Sequence, residues 1–221
     1  MQTKIPAPPS AEAILRAAKE FSLFLDDEQV LKIQQYIALL LQWNDKFNLT
    51  AIRDPLEILY RHFCESMFAA TRFSFGESRL ADVGSGAGFP GIPLKILCPE
   101  LRLFLIECNL KKATFMAEVI RELGLTDTQV LVRRYEELGE ELAPLDFVCS
   151  KALGEFSHFL KWASSAPLAA ENVLLWIGGR DLEEIQKLPG WKWQEPIPIP
   201  HSLRRMILLG QKSVAPVGLS T

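Results

Sequence analysis

Leu80-Ala81-Asp82-Val83 runs straight into Gly84-Ser85-Gly86-Ala87-Gly88-Phe89-Pro90-Gly91. An apolar strand ends in a carboxylate, and a glycine-dense turn follows. Glycines at 84, 86 and 88 let the backbone take positive φ and come close to a bound molecule. Pro90 or Pro93 then suits the first turn of a helix. Strand, glycine turn and helix together form the arrangement by which doubly wound α/β domains hold a nucleotide-like ligand at the carboxyl end of the first strand. The spacing is G-x-G-x-G and not G-x-G-x-x-G, which favours a mononucleoside such as S-adenosylmethionine over a dinucleotide. Gly84 and Gly86 are therefore candidate cofactor-binding positions.

About twenty residues further on, Leu101-Arg102-Leu103-Phe104-Leu105-Ile106 reads as a second buried strand, closed by Glu107. A carboxylate there can accept hydrogen bonds from both hydroxyls of a ribose. No basic residue takes its place, as a 2′-phosphate reader would require. Three further loops fall at strand ends. Glu107 to Lys112 opens a helix. Arg133-Arg134-Tyr135-Glu136 follows the third strand, where Tyr135 and Glu136 suit contact with an adenine ring or, alternatively, a capping turn. Ser150-Lys151-Ala152 follows an apolar fourth strand, and Lys151 is a candidate substrate contact through its cation. His62, on a helix, reads as a half-buried structural residue. Arg204-Arg205 and Lys111-Lys112 read as solvated charges with the capacity to meet phosphates. No Ser-His-Asp set, HExxH motif or Walker A lysine is present, and no catalytic base is assigned.

These loops need a scaffold. Strands are expected at 79–83, 101–107, 129–133, 145–150 and 172–177, with helices near 91–98, 110–123, 155–168 and 181–187. The alternation implies a mostly parallel, doubly wound sheet with helices on both faces. Trp191–Ile197 and Leu203–Leu209 read as a closing hairpin at the sheet edge, where proline is tolerated. Upstream, Ser10 caps a helix to about Leu25. Asp26 or Asp27 caps a second helix, with a loop expected from Asn44 to Thr50. A third helix runs from Asp54-Pro55 to about Thr71. The expected organisation is a helical extension over 1–72 packed on a Rossmann-like unit over 73–221.

Bulk properties narrow the classes. The chain has 221 residues, 48% of them hydrophobic, enough for one sizeable core. No apolar run reaches the ~18 residues of a membrane span, and the N-terminus lacks a signal-peptide pattern. Cys64, Cys98, Cys108 and Cys149 are scattered, with no CxxC pair. They are expected to be reduced and buried in a cytoplasmic protein without a metal. The net charge of −3 argues against a general nucleic-acid coat but leaves room for a local basic patch. On the residues alone, a methyltransferase acting on RNA, one acting on a small molecule or protein, and a non-catalytic nucleotide-binding module all stand open.

Several motifs taken together carry a family resemblance. Trp43-Asn44 with Asn48-Leu49-Thr50-Ala51-Ile52, Arg61-His62-Phe63 with Glu65-Ser66, and Asp82 through Leu94 resemble the bacterial small-subunit rRNA guanine-N7 methyltransferases, also called the glucose-inhibited division protein B family. The similarity covers about Leu39 to Gly179. It implies a Rossmann-like class I S-adenosylmethionine-dependent methyltransferase fold. It also implies methyl transfer to N7 of one guanine of 16S rRNA within the small ribosomal subunit, by a monomer. Matching motif positions carries the family's cofactor contacts to Gly84, Phe89, Tyr135, Glu136 and Lys151, with Glu107 at the ribose position. One position departs: the family commonly has Ser-Arg-Ala where this chain has Ser150-Lys151-Ala152, which keeps the charge and loses arginine's bidentate fork.

Replacing Glu107 by Ala is expected to weaken S-adenosylmethionine binding by on the order of 1–3 kcal/mol, the cost of losing two ribose hydrogen bonds. Titration calorimetry reads this directly; an unchanged dissociation constant would refute the assignment.

Overall fold

Period-two alternation along the strands separates two apolar cores in the computed structural model, which describes residues 5–151, 154–165, 168 and 170–213. Leu80, Leu103, Leu105, Cys149, Leu174, Trp176, Ile207 and Leu209 face one core. Ala81, Val83, Phe104, Ile106, Val148, Val173, Leu175, Ile177 and Leu208 face the other. A sheet buried on both faces needs helices on both, and the chain supplies them.

The N-terminal helices come first. Helix α1 spans Ala11–Glu20, capped by Ser10, whose side chain accepts the Ala13 N–H. It stops short of the expected Leu25 because Ser22 adopts φ 57° and Leu23 N–H turns back to Ala18 O. Helix α2 spans Asp27–Phe47 behind a reciprocal capping box between Asp26 and Gln29. The Gln29 amide also donates to Ile96 O and Leu97 O, tying the start of α2 to the sheet-side helix. The expected loop at Asn44 begins only after Phe47. Asn44 is buried on the helix and its Oδ1 accepts the Thr50 N–H, so a residue that reads as a breaker instead supports the loop that follows. The third helical stretch is composite: α3 Pro55–Ile58, a π-helical segment Leu59–Cys64, α4 Glu65–Met67 and a 3₁₀ turn Phe68–Thr71.

The sheet then builds in alternation: β1 Arg79–Val83, α5 Gly91–Leu97, β2 Arg102–Ile106, α6 Leu110–Glu122, β3 Thr128–Leu131, β4 Phe147–Lys151, α7 Phe156–Ser164, β5 Asn172–Gly178 and α8 Leu182–Gln186. Strands β6 Trp191–Trp193, β7 Ile197–Pro198 and β8 Arg205–Lys212 close it. The order is β3-β2-β1-β4-β5-β8-β6, with β1 to β5 parallel and β8 antiparallel to β5, β6 and β7. Helices α1, α2, α5 and α6 pack into the first core, and α7 and α8 into the second.

The closing hairpin differs from expectation in one respect. Strand β8 is interior, paired with β5 from Arg205 to Gln211, while β6 and β7 form the edge. Trp191–Ile197 is two strands and not one, because Pro196 lacks the N–H needed to continue the ladder. Helix α7 ends at Ser164; residues 166 and 167, within its expected span, lie outside the described residues. Among the described residues, no helix is long and apolar enough to cross a membrane.

Candidate functional site

The order reversal between β1 and β4 opens a crevice at the carboxyl ends of the strands, where ligands sit in open α/β sheets. The end of β1 is pinned there from both neighbours. Gly84 N and Ser85 N donate to Ile106 O at 2.9 and 3.2 Å, and Ser150 Oγ donates to Val83 O at 2.8 Å. The turn that follows takes positive φ at Gly84, Gly86 and Gly88. At Gly88 a Cβ would lie 2.5 Å from the Tyr36 hydroxyl and from Ile92 Cδ1, so glycine is required for space as well as for conformation.

Glu107 takes the sequence-expected place at the end of β2 and also builds the loop itself. One carboxylate oxygen accepts Gly86 N–H at 3.0 Å and the other accepts Asn109 N–H at 2.8 Å. Each oxygen keeps a further lone pair. Asn109 in turn caps α6 through the N–H groups of Lys111 and Lys112. The glycine turn and the first turn of α6 are therefore held by the same side chain. A ribose diol needs a fixed acceptor beside close-approaching backbone, and these residues fit a nucleoside cofactor.

Asp82, on β1 just before the turn, is completely buried. Its Oδ2 accepts Gly91 N–H at 2.9 Å and its Oδ1 has no hydrogen-bond partner. Burial pushes its carboxyl up to about 7, against the opposing pull of the Gly91 hydrogen bond and the Cys149 thiol.

Beside the turn lies a cleft of about 630 Å³, lined among others by Thr50, Arg61, His62, Glu65, Gly84, Gly86, Phe89, Lys151, Trp176 and Arg205. This size is within the range of small-molecule sites. Phe89 is nearly buried. Its ring stacks with Tyr36 of α2 at 5.4 Å and with His62 at 4.6 Å. The Tyr36 hydroxyl donates to Ala87 O. The N-terminal helices thus grip the glycine turn directly. His62 Nε2 meets Thr50 Oγ1 at 2.9 Å, and burial with the Lys151 and Arg61 cations pushes the imidazole down to about 3. It is neutral at physiological pH.

The far wall is charged. Glu65 is buried and receives Arg205 on both oxygens, at 2.6 to 3.1 Å. Lys151 Nζ lies 3.8 Å from Glu65 and donates to Arg61 O at 2.6 Å. Burial is the largest influence on this lysine and lowers it to about 8 despite the Glu65 carboxylate.

Of the sequence-selected residues, the structure brings Gly84, Gly86, Phe89 and Lys151 to one cleft, with Glu107 bonded to its rim through Gly86. Tyr135 and Glu136 do not line that cleft. They form a 3₁₀ turn after β3, one strand beyond Glu107, and the Tyr135 ring packs edge-on to Trp162 at 5.1 Å. Ala152 lies outside the described residues. Arg205 is not the solvated charge expected of it but the partner of Glu65, and Cys108, expected to be buried, is exposed. The roles of Tyr36, Glu65 and Arg205 escape a linear reading, since each partner is distant in sequence. The resemblance through Glu65-Ser66 was the one signal for Glu65. Among the described residues, no group of three or more His, Cys, Asp or Glu is placed to hold a metal ion.

With this geometry in hand, comparison with known proteins is informative. The model of the family GidB, rRNA small subunit methyltransferase G, matches residues 29–192. A ribosomal RNA small subunit methyltransferase G from Thermoanaerobacter sp. (strain X514) is 34% identical over 179 residues, covering 79% of this chain and 74% of the relative. The protein of that name from Pseudomonas paraeruginosa (strain DSM 24068 / PA7) is 37% identical over 179 residues, covering 81% and 83%. Among solved structures, a mutant of MtNAS in complex with S-adenosylmethionine superposes with a TM-score of 0.58 at 16% identity, covering 92% of this chain and 98% of that one. That last likeness concerns the fold alone.

The Gly91–Asp82 contact leaves no room for a side chain: a Cβ at Gly91 would lie 2.8 Å from Asp82 Oδ2 and from Leu105 Cδ2. Gly91→Ala is expected to lower stability by about 1–3 kcal/mol, the usual cost of overpacking. Denaturant unfolding would measure it, and a wild-type midpoint would refute the packing described.

Proposed function

Because this chain belongs to the GidB family, rRNA small subunit methyltransferase G, we propose that it transfers a methyl group to N7 of a guanine of 16S rRNA in the small ribosomal subunit. It is an S-adenosylmethionine-dependent methyltransferase with a Rossmann-like fold. The observation that carries the proposal is the junction of two surfaces. The Glu107-braced glycine turn suits a nucleoside, and it opens onto a cleft whose far wall carries Lys151, Arg61 and Arg205.

S-adenosylmethionine supplies the methyl group as an activated sulfonium methyl. Gly84 and Gly86 would bring backbone close to the bound cofactor, Glu107 would accept from its ribose hydroxyls, and Phe89 sets the rim of the turn. Tyr135 and Glu136, in the turn after β3, would meet its adenine. Guanine N7 has an in-plane lone pair and requires no deprotonation before attack. The protein's work is alignment, which is catalysis by proximity and orientation. The residues agree with this. His62 is held neutral by burial, and the carboxylate nearest Lys151 is committed to Arg205. N7 lies on the major-groove edge of the base, so the target guanine must be splayed from its RNA loop to reach the cleft.

Residues 1–72 act in this reading as a helical extension on a methyltransferase unit over 73–221. Supporting it, the N-terminal helices share one core with the sheet and hold the glycine turn through Tyr36. A monomer working in the cytoplasm suffices, since the cleft is built within one chain.

Incubating small subunits that lack the modification with methyl-labelled S-adenosylmethionine is expected to label 16S rRNA. The label should sit at a guanine N7, mapped by strand cleavage at the methylated base. Unlabelled rRNA would overturn the proposal.

Lys151 gives a pH signature. Its ammonium is destabilised by burial, so the fold is disfavoured by this group below about pH 8, and that cost is relieved as pH rises from about 8 towards the ordinary 10.5. The same deprotonation removes a cation from the cleft. We expect kcat/KM to decline above about pH 8 and Lys151→Arg to extend the plateau, because a guanidinium keeps its proton. Identical alkaline limbs in the two enzymes would remove Lys151 from the site.

A further inference from the structure

Where α2 ends and α6 begins, an exposed aromatic ring lies beneath a cation at the lip of the cleft. Phe47, the last residue of α2, is 41% exposed, and Lys111 Nζ sits over its ring at 5.6 Å. Leu110, beside it, is 68% exposed. Asn48 follows Phe47 in a left-handed conformation, and Arg53 Nη2 donates to Asn48 Oδ1 at 2.7 Å, so a second cation is drawn to the same corner. Lys112 lines the cleft itself, as do Leu49 and Thr50.

These cations are not neutralised locally, as some others on the surface are. Arg16, Lys32 and Arg61 are each paired with a glutamate one helical turn away. Among the described residues, Arg53, Lys111 and Lys112 have no carboxylate partner. The first turn of α6 also contains no acidic residue, although the helix dipole favours one there. Asp45 is two residues from Phe47 and so lies on a different face of α2. On a chain with a net charge of −3, this is a local positive patch with an exposed ring at its centre.

We propose that this corner is a docking platform for a single-stranded RNA segment flanking the base held in the cleft. A neighbouring base stacks on Phe47, while Arg53, Lys111 and Lys112 take the phosphates on either side. Stacking on an aromatic ring, combined with a cationic track along the backbone, is how unpaired strands are held without regard to sequence. An acidic peptide would match the charges but leave the ring without a stacking partner. The inference rests on the rRNA methyltransferase reading above.

The test compares wild type, Phe47→Ala, Phe47→Trp and Lys111→Ala on small subunits lacking the methyl group. Phe47→Ala is expected to raise KM about tenfold with kcat and S-adenosylmethionine affinity unchanged, and Phe47→Trp to restore it. Lys111→Ala, which removes no core contact, should raise KM and make the salt dependence of binding shallower by about one charge. An oligouridylate of about twelve nucleotides, a length suited to one such groove, should change Trp43 fluorescence in wild type but not in Phe47→Ala. The Trp43 ring lies 5.2 Å from Phe47. Unchanged KM in the alanine variants of an active enzyme would overturn the platform alone. Competition of polyglutamate equal to that of the oligouridylate would also overturn it, in favour of a protein partner. A wild type inert on every RNA would overturn the parent reading as well.

Discussion

A single carboxylate joins the two loops on which cofactor geometry depends. Glu107 receives the N–H of Gly86 on one oxygen and that of Asn109 on the other. The glycine turn is intrinsically soft, because its conformation costs little to leave. Anchoring it to a nearly buried side chain at the end of β2 turns that softness into a defined surface. The same side chain fixes the residue that caps α6, so the helix start is registered to the turn. Everything downstream on the rim, including Lys111 and Lys112, inherits its position from this bond pair.

The opposite wall works by a different economy of charge. Burying Glu65 unpaired would cost several kcal/mol. The bidentate Arg205 removes most of that cost, and Lys151 is left as the less firmly held cation, 3.8 Å away. A forked guanidinium already occupies both oxygens of Glu65, and the Lys151 ammonium, a compact charge with three donors, turns one of them to Arg61 O. Charge at position 151 is thereby kept close to the threshold of proton loss, and the neighbouring imidazole of His62 is held neutral.

Much of this was legible in the residues. The positive-φ turn follows from Gly84, Gly86 and Gly88, the closing acid from its place after an apolar run, and the caps from Ser10 and Asp26. What escaped has a common cause. Asn44 reads as a helix breaker until Thr50 is seen to need its side-chain oxygen. Arg205 reads as solvated until its partner is found in a different part of the chain. Tyr36 is an ordinary apolar helix position in a linear pattern, yet its hydroxyl is committed to a carbonyl of the turn. Periodicity reports which face is buried, and pairwise polar partners across the fold leave no local trace. The strands were found for the opposite reason, since their burial shows in every second residue.

The ion pair between Glu65 and Arg205 spans 140 positions. Its acidic half leaves the ribosome well before its basic half, so this wall of the cleft forms only after β8 has been made. A nascent chain released before β8 would leave Glu65 with the more distant Lys151 ammonium and without the bidentate guanidinium. The charged wall is therefore a long-range product of folding, and its two halves meet only once the N-terminal helices and the closing strands have both been made.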